Sequence, residues 1–197
     1  MLVLAIIFFI YLSSSILEYL IHRFVMHKSL MNISFFNNVN KNHILHHKAT
    51  TSDGSLNKNI ENYEELGNEE SLCLSGWESF IVFSISIFVI TPLCIKLFGE
   101  KFYSINSLIA FIFAILLCLY AKVTWDTIHP YLHKESPLKC GIFTITNEKI
   151  INNFYYKWLM ANHKAHHLIK GDKKGNFNIT LPGADFIFGT YNKLDFV

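Results

Sequence analysis

Histidine is confined to four short clusters in this 197-residue chain, and no histidine lies outside them. The clusters read HRFVMH (22–27), HILHH (43–47), HPYLH (129–133) and HKAHH (163–167). Imidazole is the commonest metal ligand in proteins, and its ring nitrogens suit iron, copper, nickel and zinc. The pattern therefore predicts a metal centre that uses all ten histidines. The predicted ligands are His22, His27, His43, His46, His47, His129, His133, His163, His166 and His167.

The spacing within the clusters predicts helical faces that each carry several ligands. In the last three clusters the outer histidines are four residues apart and share one face of a helix, which His46 and His166 widen. NHILHH (42–47) and NHKAHH (162–167) are therefore interpreted as one three-ligand face that is used twice. His22 and His27 are five residues apart, about 140° around an α-helix, so they reach different ions or need a bend between them. Ten ligands are too many for one ion, which suggests a pair of metals.

The composition indicates a membrane protein. Hydrophobic residues make up 51% of the chain and charged residues 16%, which is too apolar for an ordinary soluble domain. Three stretches of at least 17 residues hold no charged residue, and each is long enough to cross the hydrocarbon core as a helix. We predict spans at about 2–20, 79–97 and 102–123. The alternative for the first stretch is a secretory signal peptide, but it lacks a basic n-region and continues directly into the first histidine cluster.

The lysines and arginines predict which way the chain crosses the membrane. With three crossings, 15 of the 17 basic residues fall on one side, which is the cytosol by the positive-inside rule. The second and third spans form a hairpin between the second and third clusters, so all four clusters lie on that face. The predicted fold is all-α, a single integral membrane domain (1–197) with about three spans. A cytosolic helical cap (21–76 and 124–197) carries the di-metal site.

Two acidic residues lie at helical spacing from predicted ligands. Glu18 precedes His22 by four residues, and Asp126 precedes His129 by three. A carboxylate that accepts the second ring N–H of a ligand fixes its tautomer and orientation. We therefore expect Glu18 and Asp126 to support the ligands directly. The alternative is that both are solvated at the level of the lipid head groups.

These motifs and their order resemble the fatty acid hydroxylase superfamily of membrane-bound, histidine-rich oxygenases. EYLIHRFVMH (18–27) and WDTIHPYLH (125–133) are similar to the first and third motifs of its fatty acid 2-hydroxylase branch. GADFIFGTY (183–191) resembles the closing segment of the family, with Ala184 where the family has tryptophan, and the resemblance implies a ligand-supporting role for Asp185. The sequence after the second cluster, HKATTSDGSL (47–56), departs from the branch and leaves the substrate open.

The resemblance implies hydroxylation of a fatty acyl or sphingolipid chain near its head group, with two iron ions and O2. Oxidation of an unactivated CH2 group needs a redox-active metal, which excludes zinc as the working ion, although zinc can replace Fe(II) in such a site. Electrons are expected from a separate carrier such as a b-type cytochrome or a ferredoxin. A lipid from the bilayer is the expected substrate, and no nucleic acid partner is expected. The membrane would be the endoplasmic reticulum in a eukaryotic host and the cytoplasmic membrane otherwise, with the metal site on the cytosolic face.

Two kinds of alternative function remain open. Carotenoid hydroxylation and sterol desaturation belong to the same superfamily. A non-catalytic membrane protein that binds or transports metal is an alternative of a different class. Transport ligands should line a path through the spans, whereas the three charge-free stretches contain no histidine.

Overall fold

The computed structural model describes residues 2–28, 34–57, 59, 93, 96, 97, 99, 105–133 and 147–193. Within these ranges the chain is mostly helical and forms no strand, only an isolated bridge between Thr50 and Leu56, so the prediction of a helical protein is confirmed. The elements are α1 (Leu2–Leu20), a π-helix (Ile21–Met26), α2 (Ser34–Ala49), α3 (Ile105–Leu132), α4 (Glu148–Ile151), α5 (Phe154–Leu168), a 3₁₀-helix (Gly171–Lys173) and α6 (Ala184–Ile187).

Two helical segments are long and apolar enough to cross a membrane: Val3–Met26 and Phe111–Leu132. Both extend further toward the histidines than the predicted limits of residues 20 and 123, and they include His22 and His129. The predicted span at 79–97 lies almost wholly outside the described residues.

Helices α1 and α3 run parallel and pack against each other. Ile6 and Ile10 of α1 form a buried cluster with Leu117 of α3 and with Leu181 from the C-terminal part of the chain. Nearer the histidines, the rings of His22 and Trp125 lie 6.4 Å apart. Helix α1 is therefore packed into the domain, and the π-helix that follows it carries His22, whereas α3 carries His129 in its own last turn.

The outward faces of α1 and α3 are apolar. Leu4 and Phe8 of α1 are 68% and 65% exposed, although Ile6 and Ile10 on the opposite face are buried. Leu108, Ile112 and Leu116 form a similar exposed stripe along α3 at a spacing of four residues. Contiguous exposed apolar surface of this kind marks contact with lipid or with another apolar partner.

The remaining helices pack around the ends of α1 and α3. Helix α5 begins at Phe154 because the side chain of Asn153 caps it and accepts a hydrogen bond from the amide of Tyr156 at 3.0 Å. Tyr156 and Leu159 of α5 then pack on Ile128 of α3. This contact places the HKAHH sequence of α5 beside the HPYLH sequence at the end of α3.

Residues 174–183 form a loop, here called the C-terminal loop, that follows the surface of α1. Phe177 lies beside His22, and Leu181 reaches the level of Ile6 and Ile10. The carbonyl of the next residue, Pro182, accepts a hydrogen bond from the hydroxyl of Tyr11 at 2.8 Å. Irregular backbone beside an apolar helix of this kind needs internal partners for its polar groups, and this loop has them, as described below.

Candidate metal centre

The ten histidines, which come from four separate helical segments, meet in one place. Their ring nitrogens form two sets of five, and within each set the ligand atoms all lie within 4.8 Å of one another. Site A contains His22, His27, His43, His47 and His166. Site B contains His46, His129, His133, His163 and His167.

Each three-histidine helix is divided between the two sites. In α2, His43 and His47 belong to site A and His46 to site B. In α5 the division is reversed, since His163 and His167 belong to site B and His166 to site A. The interpretation of each sequence as a three-ligand face for one metal is therefore wrong. Residues i and i+4 point in nearly the same direction, whereas residue i+3 is turned enough to face the neighbouring site.

The π-helix explains how His22 and His27 reach the same site. Its hydrogen bond runs from the amide of His27 to the carbonyl of His22, five residues back, at 3.2 Å. The wider turn brings the two residues onto one face, where their rings stack with centroids 5.1 Å apart. Of the two possibilities that the spacing left open, the structure shows a local change of helix type rather than ligands of different sites. Such π-helical turns occur frequently at functional sites.

The spacing of the ring nitrogens fits ligands around a metal ion. In site A the Nε2 atoms of His22 and His43 are 3.0 Å apart, those of His27 and His166 are 3.0 Å apart, and those of His43 and His47 are 3.2 Å apart. With metal–nitrogen bonds of about 2.0–2.1 Å, two ligands at a right angle are separated by about 2.9 Å and two tetrahedral ligands by about 3.4 Å. The observed spacing is nearer the right angle, so it favours a five- or six-coordinate ion over a tetrahedral structural zinc.

Backbone carbonyls fix the tautomer of three of the ligands. The Nδ1 atoms of His22 and His166 donate to the carbonyls of Phe177 and Gly175, both at 2.7 Å. In site B, Nδ1 of His133 donates to the carbonyl of Gly54 at 2.7 Å. A carbonyl oxygen only accepts, so the ring proton is on Nδ1 and the Nε2 lone pair points into the site. This is the protonation state that a metal ligand requires.

Several ring nitrogens of site B are buried without a hydrogen-bond partner among the described residues. They include Nε2 of His133, which faces the other ligands of the site. Buried polar atoms normally have a partner, and an unpaired one calls for an explanation. A metal ion bound to this inward lone pair would provide the missing partner.

The three acidic residues that were expected to support the ligands, Glu18, Asp126 and Asp185, have different hydrogen-bond partners. The outer nitrogen of His22 is bound by Phe177 and not by Glu18, so the expectation of a direct contact between Glu18 and His22 is wrong. Glu18 instead accepts hydrogen bonds from the C-terminal loop, including the amides of Thr180 and Leu181, both at 2.9 Å. Asp185 accepts from the amides of the same loop, and Asp126 accepts from Lys122 at 2.8 Å.

The features that the sequence did not reveal are mainly backbone groups. Every residue has a backbone carbonyl, so residue type does not indicate that the carbonyl of Gly54, Gly175 or Phe177 will accept a hydrogen bond from an imidazole. Gly54 has φ +92°, and a Cβ atom there would lie 3.1 Å from the carbonyl oxygen of Leu132, so glycine is required at this position. Lys174, whose Nζ lies 3.1 Å from Nδ1 of His27, was also missed. The only available signal was the glycine- and asparagine-rich sequence GNFN (175–178) after the fourth cluster.

Burial keeps the imidazoles uncharged. It lowers the pKa of His133 to about 4, against the opposing hydrogen bond to Gly54. The pKa values of six other ligands lie well below the usual 6.5. The larger cause is burial, and the smaller cause is repulsion from neighbouring imidazoles when these are protonated. These ligands are His43, His46, His47, His163, His166 and His167. Neutral imidazole is the metal-binding form, so at neutral pH no proton has to leave before an ion binds.

The pKa shifts predict that the metal-free protein loses stability in acid. In the unfolded chain these histidines take up protons near pH 6.5, whereas His133 in the folded chain remains neutral down to about pH 4. The unfolded state therefore binds more protons in this window, and the free energy of unfolding falls as the pH falls through it. Thermal unfolding of the chelator-treated protein in detergent should show a Tm that decreases below about pH 6.5. An unchanged Tm down to about pH 5 would contradict the prediction.

Comparisons of the chain with protein families, with curated proteins and with solved structures find no match. The resemblance noted above therefore depends on the motifs alone.

Proposed function

We propose that the chain is a membrane-bound, O2-dependent lipid hydroxylase of the fatty acid hydroxylase type, with two iron ions in sites A and B. The observation that carries the proposal is the gathering of all ten histidines into two adjacent five-histidine sites with nearly right-angled donor spacing. The order and sequence of the four clusters add the likeness to the superfamily.

The ligand set suits a catalytic centre better than a structural one. Five histidines at nearly right-angled spacing leave one position of an octahedral ion for a small molecule, and catalytic sites keep such an open position. When bound, a pair of iron ions would supply the activation of O2, with two electrons from outside, that oxidation of an unactivated C–H bond needs. The protein holds the ligands in place and keeps them neutral.

Packing of the rings against one another links the two sites. His47 of site A and His167 of site B stack with centroids 4.1 Å apart and an interplanar angle of 27°. His167 is buried and His47 is partly buried, and residues of the same helices supply ligands to both sites. A shift of α2 or α5 would therefore disturb both sites together, which is the coupling that two ions working on one substrate require.

The membrane setting supports a lipid as the substrate. The two candidate spans end at the histidines, so the sites lie where the apolar surface of α1 and α3 stops. Because α1 and α3 run parallel, the chain has to return to the far end of α3 between them, which supports the proposal of three spans. The proposal that the metal site faces the cytosol depends on the distribution of basic residues. A carbon close to the head group of a lipid in the bilayer would lie at this level.

The route of the acyl chain does not run between α1 and α3, because Ile10, Leu117 and Leu181 close that interface. Beside it, Phe186, Ile187 and Phe188 are exposed, and Phe188 packs on Tyr19 with ring centroids 4.8 Å apart. Exposed aromatic and aliphatic side chains next to a span are typical of the membrane interface. We assign this surface to contact with lipid at the cytosolic interface. The separate electron carrier would dock on the basic side chains of α5 and its flanks, among them the exposed Lys157 and Lys170.

A metal-transport function receives less support. The candidate spans do contain histidines, His22 and His129, but these lie in the last turns. The described parts of the two candidate spans contain no further histidine that would extend a path of ligands toward the opposite side of the membrane. The two sites are side by side, which suits joint action on one molecule better than passage through the membrane.

Lipid analysis of cells tests the proposed function. Cells that produce the wild-type chain should contain a lipid class whose mass has increased by one oxygen atom, and the increase should disappear in cells that produce equal amounts of His133→Ala. Loss of two hydrogen atoms instead would identify a desaturase of the same superfamily. The absence of any lipid change, with two metal ions bound to the purified wild-type protein, would contradict an oxygenase and favour the metal-binding alternative.

A further inference from the structure

Three consecutive contacts to site A come from one short stretch of the C-terminal loop. Nζ of Lys174 contacts Nδ1 of His27 at 3.1 Å. The carbonyls of Gly175 and Phe177 accept from Nδ1 of His166 and His22, each at 2.7 Å. Two of the five histidines of site A are thus held from outside by carbonyls of this loop, and a third, His27, is contacted by Lys174.

The loop has no regular secondary structure, and two carboxylates replace the missing backbone partners. Asp185 accepts from the amides of Phe177 at 3.0 Å and Asn178 at 2.6 Å. Glu18 accepts from the amides of Ile179, Thr180 and Leu181 at 3.2, 2.9 and 2.9 Å. The hydroxyl of Thr180 and the side-chain amide of Asn178 donate to Glu18 as well, at 2.8 and 3.2 Å.

We propose that Glu18 and Asp185 are positioning residues for site A, which act through the backbone of the C-terminal loop. They hold the carbonyls of Gly175 and Phe177 against His166 and His22, and so keep the Nε2 lone pairs of these two ligands directed into the site. The proposal deepens the proposed function, since it rests on metal binding at site A, but it does not depend on which substrate is oxidised.

The donor pattern around Glu18 requires a carboxylate. Five N–H or O–H groups converge on its two oxygens, and an ionised carboxylate offers about four acceptor positions and no donor. Glutamine has nearly the same size, but its NH2 group would point donors at the amide of Leu181 or Thr180. Glu18→Gln therefore leaves the packing volume unchanged and selectively disrupts the attachment of the loop.

Site B provides the internal comparison. Its described outer contact to the backbone comes from Gly54, in the segment after α2, and not from the C-terminal loop. Weakening the loop should therefore lower the metal affinity of site A and leave that of site B unchanged. A purely structural role of Glu18 would affect both sites or neither, so the selectivity distinguishes positioning from general stability.

Cobalt(II) titration of the full-length, chelator-stripped protein in detergent tests the proposal. Wild type should bind two equivalents. In Glu18→Gln and Asp185→Asn the affinity for one equivalent should fall by about 10–100-fold, the usual effect of losing an outer partner of a metal ligand. The remaining cobalt spectrum should match that of His22→Ala, which lacks a ligand of site A, and differ from that of His133→Ala. Tyr11→Phe is the matched control, because it removes the hydrogen bond to Pro182 at the far end of the same loop without touching an attachment of Gly175 or Phe177.

Each outcome decides the proposal. A selective loss at site A supports it, whether or not the wild-type protein proves to oxidise a lipid. Equal losses at both sites, two unweakened equivalents in both carboxylate variants, or a spectrum that matches His133→Ala would overturn it. If Glu18→Gln does not fold, Asp185→Asn carries the same comparison, since it acts on the same loop from the other side. A wild-type protein that binds no cobalt would overturn it together with the proposed function.

Discussion

Replacing His47 by alanine is expected to remove the metal of site A, and replacing His167 the metal of site B. Each substitution should abolish turnover. The two rings stack on each other at 4.1 Å, so the variants remove equivalent contacts from one place in the molecule yet affect different sites. Each site loses one of five nitrogen donors, and the effect should exceed the 10–100-fold loss of affinity typical of outer partners. Neither ion alone would be sufficient if both act on one substrate.

Elemental analysis of the purified variants and oxidation of a cellular lipid measure the two effects. We expect one metal ion per chain in each variant, two in wild type, and none in the double variant His47→Ala/His167→Ala. His133→Ala should behave as His167→Ala does, since both residues belong to site B. Full activity in His47→Ala, His133→Ala and His167→Ala would rule out the di-metal centre.

Gly175→Ala is expected to destabilise the protein and to weaken site A. A Cβ atom at this position would overlap the carbonyl oxygen of Thr190 and lie 2.7 Å from the side-chain nitrogen of Asn192. The loop would have to move, and with it the carbonyl that holds His166. We expect a decrease of about 1–3 kcal/mol in the free energy of unfolding, as for other overpacked sites, and weaker binding of the site A metal.

Gly171→Ala is the control for this substitution. Gly171 has φ +70°, so alanine there is strained by about 1–2 kcal/mol, but no atom lies within 4 Å of the added Cβ. Chemical denaturation should therefore show a similar loss of stability in both variants, whereas only Gly175→Ala should lose metal affinity at site A. Unchanged metal binding in Gly175→Ala would mean that the carbonyl of Gly175 does not position His166.

The sequence predicted which histidines come together better than it predicted how they are divided between the two sites. The four histidine clusters can be recognised directly in the sequence. The four-residue spacing also correctly predicted that His43 and His47 face the same way. How one helix divides its histidines between two sites depends on where the neighbouring helices place their own histidines. This information is not contained in the sequence of a single cluster. The π-helix at Ile21–Met26 is similarly invisible, because it is a small change in winding that the surrounding contacts stabilise.

The role of the acidic residues shows a second limit of sequence reasoning. Helical spacing places Glu18 near His22, which is correct for the backbone, but the side chain turns toward residues 178–181, more than 150 positions away in the chain. A contact between such distant residues cannot be read from spacing. The helices likewise continue beyond the apolar stretches of the sequence, as far as Met26 and Leu132.

The burial of Asn178 affects how the orientation of the chain can be mapped. Asn178-Ile179-Thr180 and Asn32-Ile33-Ser34 are both acceptor sequences for N-glycosylation, a common reporter of the luminal side of a membrane. The side chain of Asn178 donates to the carbonyl of Ser15 at 2.8 Å, and its oxygen accepts from the amide of Asp185 at 2.9 Å. A glycan on this residue could not be accommodated in the folded chain, so an unmodified Asn178 is expected on either side of the membrane. Asn178 therefore cannot report orientation, and additional acceptors belong on exposed positions such as Asp172.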